Sequence, residues 1–423
     1  MQEGVRVKLG ICGMIWCCIL MVAFMVGCAQ TKQVTEITLI HGWGSTEDDH
    51  VSMRQIYQDF QKENPDIRIH LVSLPTTDAL IRKVQDSVMV GEIPDIIFLA
   101  GEGRESLYQY MVDYRYALDL MPYIQADAEF RSNLAPENLE YWTTADNRIF
   151  TVSDVVMMSG GYWYNQEIFD KAGVVQPPKT WKEFEAACEK IEDWAEKEQN
   201  GIKALQLSHE GYLYFAGHIL AQKGGMEDVK GKVQIGPEKM TEMLSILERI
   251  HKHSVSDSGN YNYRDETDLF NAGKLGIYVN GVWGASMISP EMRVAYAQLP
   301  GDPTSVFCES AGIGYMIGRT GDSAREEACV RFLKYMLSPK VQERILLETQ
   351  QLPANPKIRI EDFADQMPRF CQAVEAVQDA NLKIEIPEQL WSRQQFALFQ
   401  ENIIPVLSGT MDKQTLVELL ASY

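Results

Sequence analysis

Between residues 37 and 99 strand and helix signals alternate with so little chain between them that one arrangement satisfies them all. Ile37 to Ile40 is a β-rich apolar run, closed by Gly42-Trp43-Gly44. Met53, Ile56, Tyr57 and Phe60 recur at helical spacing until Asn64-Pro65 stops them; Ile67, Ile69 and Leu71 alternate as a strand. Leu80, Ile81, Val84 and Val88 predict a second helix ended by Gly91, and Ile96 to Leu99 is a continuous apolar strand. A β-α-β-α-β order of this kind predicts a mostly parallel sheet with helices on both faces. Such sheets bind ligands where strand carboxyl ends meet loops and helix N-termini. Here those ends are Gly42-Trp43-Gly44 and Gly101-Glu102-Gly103-Arg104.

The middle of the chain predicts long helices, among them Trp181 to Trp194 and the one carrying Met240, Met243, Leu244 and Leu247. Between them, Gly211-Tyr212-Leu213-Tyr214 and Gly224-Gly225 read as turns. With 423 residues, 45% of them hydrophobic, the chain can bury two domain cores. No repeat, low-complexity tract or long linker is visible, so two lobes joined by chain crossings are expected rather than separate beads. A net charge of −20 repels phosphate backbones and argues against nucleic-acid binding.

Residues 1–27 read as a lipoprotein signal peptide: Arg6 and Lys8 precede an apolar stretch from Leu9 to Val26, and Met25-Val26-Gly27-Cys28 closes it. The ending resembles a bacterial lipoprotein signal, in which Cys28 takes a diacylglycerol and becomes the first mature residue. An uncleaved membrane span is the alternative, since the run approaches the ~20 residues that cross a bilayer. Both place the mature chain outside the cytoplasm and tethered. Of the eight cysteines, Cys12, Cys17 and Cys18 fall in the signal and Cys28 is the anchor. Cys188 and Cys329 lie on apolar helical stripes as small hydrophobes. Cys308 and Cys371 show no partner, and a bridge between some pair stays open. No CxxC or Cys/His ligand spacing occurs, so no metal and no cofactor is expected.

Gly91-Glu92-Ile93-Pro94-Asp95-Ile96-Ile97-Phe98 resembles the PDI strand start of extracellular solute-binding proteins of family 1. Tyr162-Trp163-Tyr164-Asn165 to Phe169, Ala172-Gly173 and Pro177-Pro178-Lys179-Thr180-Trp181-Lys182-Glu183-Phe184 are similar to that family's YNK, AG and PPKTW-x-EF blocks. Phe270 to Gly276 with Asn280-Gly281-Val282-Trp283 resembles its F-x-x-GK and GPW motifs. Ser310 to Gly314, Leu352 to Asn355 and Pro387 to Trp391 extend the resemblance to the C-terminal region. It implies an α/β, two-lobe periplasmic-binding-protein-like fold (type II), each lobe a mixed, mostly parallel sheet flanked by helices, with a three-crossing hinge. The crossings carry over to near Ser153, Cys308 and Leu352. The family usually has Pro where Ser153 stands. The implied organisation is signal 1–27, tether 28–35, N-terminal lobe 36–153 plus 309–351, and C-terminal lobe 154–308 plus 352–423.

The implied function is the ligand-capturing subunit of an ABC importer, most often one for oligosaccharides. Its partners would be a small carbohydrate, permease subunits and the membrane through the lipid anchor; a monomer is expected. A sugar site wants aromatic planes for C–H faces and charged or amide groups for the hydroxyl rim. The candidate ligand-binding residues are Trp43, Asp95, Glu102, Arg104, Glu210, Tyr212, Trp283 and Trp391. Trp283 matches the family's stacking Trp, Glu210 and Tyr212 sit where relatives place a carboxylate and a ring, and Trp391 resembles a C-terminal stacking Trp. Leu99 stands where maltodextrin binders put an aromatic, which argues against a maltodextrin. Trp163 and Trp181 belong to blocks that build the second lobe. Asp95 could instead cap its loop, and Glu210 could be a solvated charge.

Catalytic motifs are absent: no G-x-S-x-G, H-E-x-x-H, Walker A loop or G-x-G-x-x-G occurs. Hidden glycosidase carboxylates, which have no fixed spacing, are the residual enzymatic option. Binding of a non-sugar solute such as a polyamine or a peptide, or a sensory or adhesion role without transport, remain alternatives on the same fold.

Overall fold

The computed structural model describes residues 34–44, 48–74, 77–99, 107–224, 236–254, 263–301, 304–384 and 392–422. Its first half opens as the periodicity demands. Strand β1 (Thr35–His41), helix α1 (Asp48–Glu63), β2 (Ile67–Ser73), α2 (Thr77–Met89) and β3 (Ile96–Leu99) follow in turn. Met53, Ile56, Tyr57 and Phe60 bury one face of α1, and all four residues of β3 are buried. Short helices α3 (Gln109–Asp113), α4 (Met121–Ala126), α5 (Ala128–Ser132) and α6 (Pro136–Trp142) lead to β4 (Thr151–Val152).

The second half begins with β5 (Val155–Ser159), β6 (Gly161–Asn165), α7 (Gln166–Ala172) and α8 (Trp181–Glu198). The N-terminus of α8 is fixed by a capping box: Thr180 Oγ1 accepts from the Glu183 N–H, and the Glu183 carboxylate accepts from the Thr180 N–H. Then come α9 (His209–Gln222), α10 (Pro237–His251), α11 (Tyr263–Asn271), β7 (Ile277–Tyr278), a 3₁₀ turn at Val282–Ser286, β8 (Val294–Gln298) and β9 (Val306–Ser310). The chain goes on through β10 (Gly314–Ile317), α12 (Ser323–Met336), α13 (Pro339–Thr349), β11 (Leu352–Pro353), α14 (Pro368–Gln378), β12 (Leu382–Ile384), α15 (Arg393–Leu407) and α16 (Lys413–Ala421).

Three sheets result, with orders β2-β1-β3-β10-β4, β11-β5-β9-β12 and β7-β6-β8. In the first, β1 is parallel to both β2 and β3, while β10 is antiparallel to β3 and β4. This sheet has two edges of different character. At its amino edge β1 and β3 begin and β10 ends; at its carboxyl edge β1, β3 and β4 end and β10 begins. The second sheet is mixed, β9 being parallel to β12 and its other pairs antiparallel, and the third is antiparallel throughout. Only β5 to β6 is a tight return; helices α7 to α11 separate β6 from β7, which nevertheless pair antiparallel, and α14 separates β11 from β12.

The chain passes from the first sheet to the second at Ser153-Asp154, back at 311–313, and again between α13 and β11. Cys308 lies inside β9, opposite Ser159, so the second passage falls a few residues beyond it. Side chains stitch the three passages together. The Trp142 indole N–H is shared between Ser153 Oγ and the Ala311 carbonyl, both at 2.9 Å, and the Ser153 hydroxyl donates to the same carbonyl. Asn138 pairs with both backbone groups of Ser153. Gln342 donates to the Asp154 carbonyl at 2.8 Å and accepts from the Asn355 N–H at 3.0 Å. A proline at 153 would lack the N–H that Asn138 takes and the hydroxyl that reaches Ala311.

Two large buried clusters back the two halves. One joins β1, β3, β10, α1 and α12; the other joins α8, α9, α10, α15 and α16. The segment expected to turn at Gly211 is instead inside α9, which is buried on nearly every side. Ser208 caps it by accepting from the Gly211 N–H, and burial outweighs the roughly 1 kcal/mol a glycine costs in a helix. Cys188, Cys308, Cys329 and Cys371 are buried, and none of the four is in a disulfide.

Candidate functional site

The carboxyl edge of the first sheet is built on β1. Past its last residue, the Trp43 N–H donates to His41 Nδ1 at 3.1 Å and the Trp43 carbonyl accepts from Arg54 at 2.5 Å. The ring is half-buried, edge-on to His50 at 5.0 Å and tilted against Phe98 at 5.3 Å. It is thus held on one side while its remainder stays open. His41 itself is buried, and desolvation, reinforced by Arg54 and His50, lowers its pKa to about 4. The ring is therefore neutral at physiological pH, with Nδ1 free to accept and Nε2 facing the Ser73 hydroxyl at 3.1 Å.

Behind Trp43 lies a buried polar cluster. The Tyr57 and Tyr315 hydroxyls meet at 2.7 Å, and the Asp154 carboxyl is sealed beside them. Among the described residues neither Asp154 carboxyl oxygen has a partner of sound hydrogen-bond geometry. Desolvation raises its pKa to about 7, offset in part by the neighbouring Tyr315 hydroxyl. Burial likewise lifts both phenols well above their usual range, with the Asp154 charge adding to it. The sequence signal for Asp154 is a lone carboxylate inside the mostly apolar run Ile149 to Met158.

In the second half, Trp283 stands half-buried in the 3₁₀ turn that follows β7. Its ring lies over Gly281, where any Cβ would collide with it. The ledge beneath is fixed: the Trp163 indole donates to the Gly281 carbonyl at 3.0 Å, and the Tyr296 hydroxyl donates to the Asn280 carbonyl at 2.8 Å. Trp163 and Trp181 are buried, the latter donating to Gln222 at 3.0 Å. Glu210 is exposed in the first turn of α9. Next to it, Glu266 is buried and raised to about 8, by desolvation first and then by Glu210 and Asp265, against hydrogen bonds from Ser208.

Two expected ligand residues are corrected by their surroundings. Asp95 immediately precedes β3 at the amino edge, the far side from Trp43, and is 1% exposed. Its Oδ2 accepts from the Thr38 N–H at 2.9 Å and from Arg325 at 2.7 Å, so it ties α12 to the sheet. Tyr212 is 0% exposed, because the helix that replaces the expected turn points it into the core, where its hydroxyl meets His251 Nδ1 at 2.6 Å. Glu102, Arg104 and Trp391, with Cys28 and the signal segment, lie outside the described residues. The structure therefore offers Trp43 on one half and Trp283 with Glu210 on the other. Among the described residues no cluster of three metal-ligating side chains occurs, and no helix is long and apolar enough to cross a membrane.

Residues 55–369 match the sequence model of the family described as bacterial extracellular solute-binding protein. A putative binding protein of Brucella abortus is 22% identical over 258 residues, 59% of this chain and 60% of the relative, so the chain spans about 60% of the length of that relative. The multiple sugar-binding protein of Streptococcus mutans is 21% identical over 361 residues, 80% of each chain. Among solved structures, a Streptococcus pneumoniae solute-binding protein in complex with the blood group A-trisaccharide superposes with a TM-score of 0.75 at 22% identity, covering 92% of this chain and 98% of that one. At that identity the likeness carries the fold: two α/β lobes of the periplasmic-binding-protein kind.

Proposed function

The chain belongs to the family of bacterial extracellular solute-binding proteins, and from that membership we propose that it is the sugar-capturing subunit of an ABC importer, held outside the cytoplasm by a lipid on Cys28. The ligand is a carbohydrate, in the size range of an oligosaccharide, and no bond is made or broken. The multiple sugar-binding relative and the trisaccharide-bound structure support this choice of solute. The lobes are 36–153 plus 309–351 and 154–308 plus 352–423, with the second boundary moved on to where β9 ends.

The observation that carries the proposal is the placement of Trp43 and Trp283. Each is a half-open ring on a rigid backing, and they stand on halves joined by three stitched passages. A ligand gripping both rings favours the conformer in which the halves approach, and that conformer is what a permease reads. Micromolar affinity needs about 8 kcal/mol net. Stacked rings at ~0.5 to 1.5 kcal/mol beyond their buried area and charge-assisted hydrogen bonds at about 1.5 to 3 kcal/mol each reach that scale. Glu210 is the described carboxylate placed for the hydroxyl rim; Glu102, Arg104 and Trp391 complete the proposed set.

Thermal-shift screening of the purified protein against carbohydrates, polyamines and peptides tests the reading, because a ligand that binds the folded state alone raises the midpoint by mass action. An oligosaccharide is expected to stabilise. Stabilisation by a polyamine or peptide and by no sugar would transfer the site to that solute.

A further inference from the structure

Seven large apolar side chains are exposed among the described residues, and four of them decorate the amino edge of the first sheet. Val34, 40% exposed, immediately precedes β1. Met89 and Val90, 79% and 75% exposed, end α2 just before the turn at Gly91 that leads into β3. Tyr114, 63% exposed, follows α3 next to Arg115, whose φ of 60° turns the chain back. Ala117 then bridges Gly318, one residue past the Ile317 that pairs with the first residue of β3. Tyr114 stacks on Tyr116 at 6.0 Å with an interplanar angle of 13°, and Tyr110 leans on both, so this corner is a tyrosine shelf. Clusters of exposed apolar chains on a soluble surface mark an interaction site.

We propose that this amino edge rests on the outer surface of the lipid bilayer that receives the Cys28 anchor. The inference rests on the lipoprotein reading of the N-terminus given above. The described chain begins at Val34 on this same edge, six residues after Cys28. Six residues span roughly 20 Å at most, so an anchored Cys28 keeps Val34, and the edge that it begins, within that distance of the headgroups. Tyrosines suit that layer, with an apolar ring inward and a hydroxyl toward water. Two sets of charged neighbours are paired, Glu36 with Arg68 and His70, and Asp66 with Arg331, while exposed Glu92 and Arg115 flank the apolar chains and can stay in the headgroup water. With a net charge of −20 the whole protein is not drawn to an anionic surface, so contact depends on the tether raising the local concentration. The carboxyl edge, carrying Trp43, then faces away from the membrane toward arriving solute. Delivery to a permease requires the domain to lift off this edge and swing over.

The test uses the full chain, lipidated and reconstituted in phospholipid vesicles, with a fluorescent probe attached at Met89→Cys, Val90→Cys or Tyr114→Cys, and at Val175→Cys as the control. Val175 is 96% exposed but follows α7 in the second half. All four sites are solvent-exposed, so labelling leaves the fold intact. Brominated lipids are expected to cut probe fluorescence at 89, 90 and 114 and to leave 175 unchanged. Equal quenching at all four sites, or none at any while the protein stays on the vesicles, would overturn the inference and leave the anchor standing. Protein that carries no lipid on Cys28 and stays off the vesicles would overturn the anchor itself, and this inference with it.

Discussion

Replacing Asp154 by Asn should stabilise the protein, and by an amount that depends on pH. In the unfolded chain this carboxyl titrates near 3.8, whereas burial without a sound partner raises it to about 7 in the folded state. The folded state therefore holds its proton while the unfolded state loses it. No penalty exists below pH 3.8; it grows as pH rises and is complete above about pH 7. Each pKa unit is worth about 1.4 kcal/mol, so the full penalty is roughly 4 kcal/mol at pH 8 and about 1 kcal/mol at pH 4.5. Asn is neutral and nearly isosteric, and the Asp154 backbone carbonyl keeps its bonds from Gln342 and Ala354. Urea unfolding of wild type and Asp154→Asn at both pH values should show the variant ahead at pH 8, with most of the gain gone at pH 4.5. Destabilisation at pH 8, or a difference independent of pH, would refute the picture of an unpaired acid sealed between the halves.

Trp283→Ala should weaken sugar binding at least tenfold, about 1.4 kcal/mol, by calorimetry, with an unchanged circular dichroism spectrum; unchanged affinity removes Trp283 from the site. Asp95→Ala should cost about 2 to 3 kcal/mol in urea unfolding, below the range for a fully sealed pair because Arg325 is 38% exposed. Its sugar affinity should match wild type, and a weakened affinity would return Asp95 to the ligand. Tyr212→Phe should lose about 1 kcal/mol of stability with its bond to His251, again without effect on binding measured by calorimetry.

Periodicity and punctuation made the first half legible. The stripe of α1, the alternation of β2 and the apolar block of β3 each point to one structure. What local signals could not carry was tertiary override. Gly211 and two tyrosines suggest a turn, yet the surrounding helices bury the segment so completely that it continues as α9. The same override moved Tyr212 from a platform to the core. Asp95 shows a different limit: its partner Arg325 lies 230 residues away, so its role belongs to a contact that spacing cannot reveal. The cluster of Asp154, Tyr57 and Tyr315 is equally non-local. Trp43 and Trp283 have glycine neighbours and are both half-buried, and their contact with a ligand is part of the proposal.

Small-angle X-ray scattering during titration with a stabilising oligosaccharide tests the capture of a sugar between two moving halves most directly. The radius of gyration should fall saturably along the binding isotherm, with the sugar recovered unchanged. Saturation at constant radius, or recovery of a cleaved sugar, would contradict it.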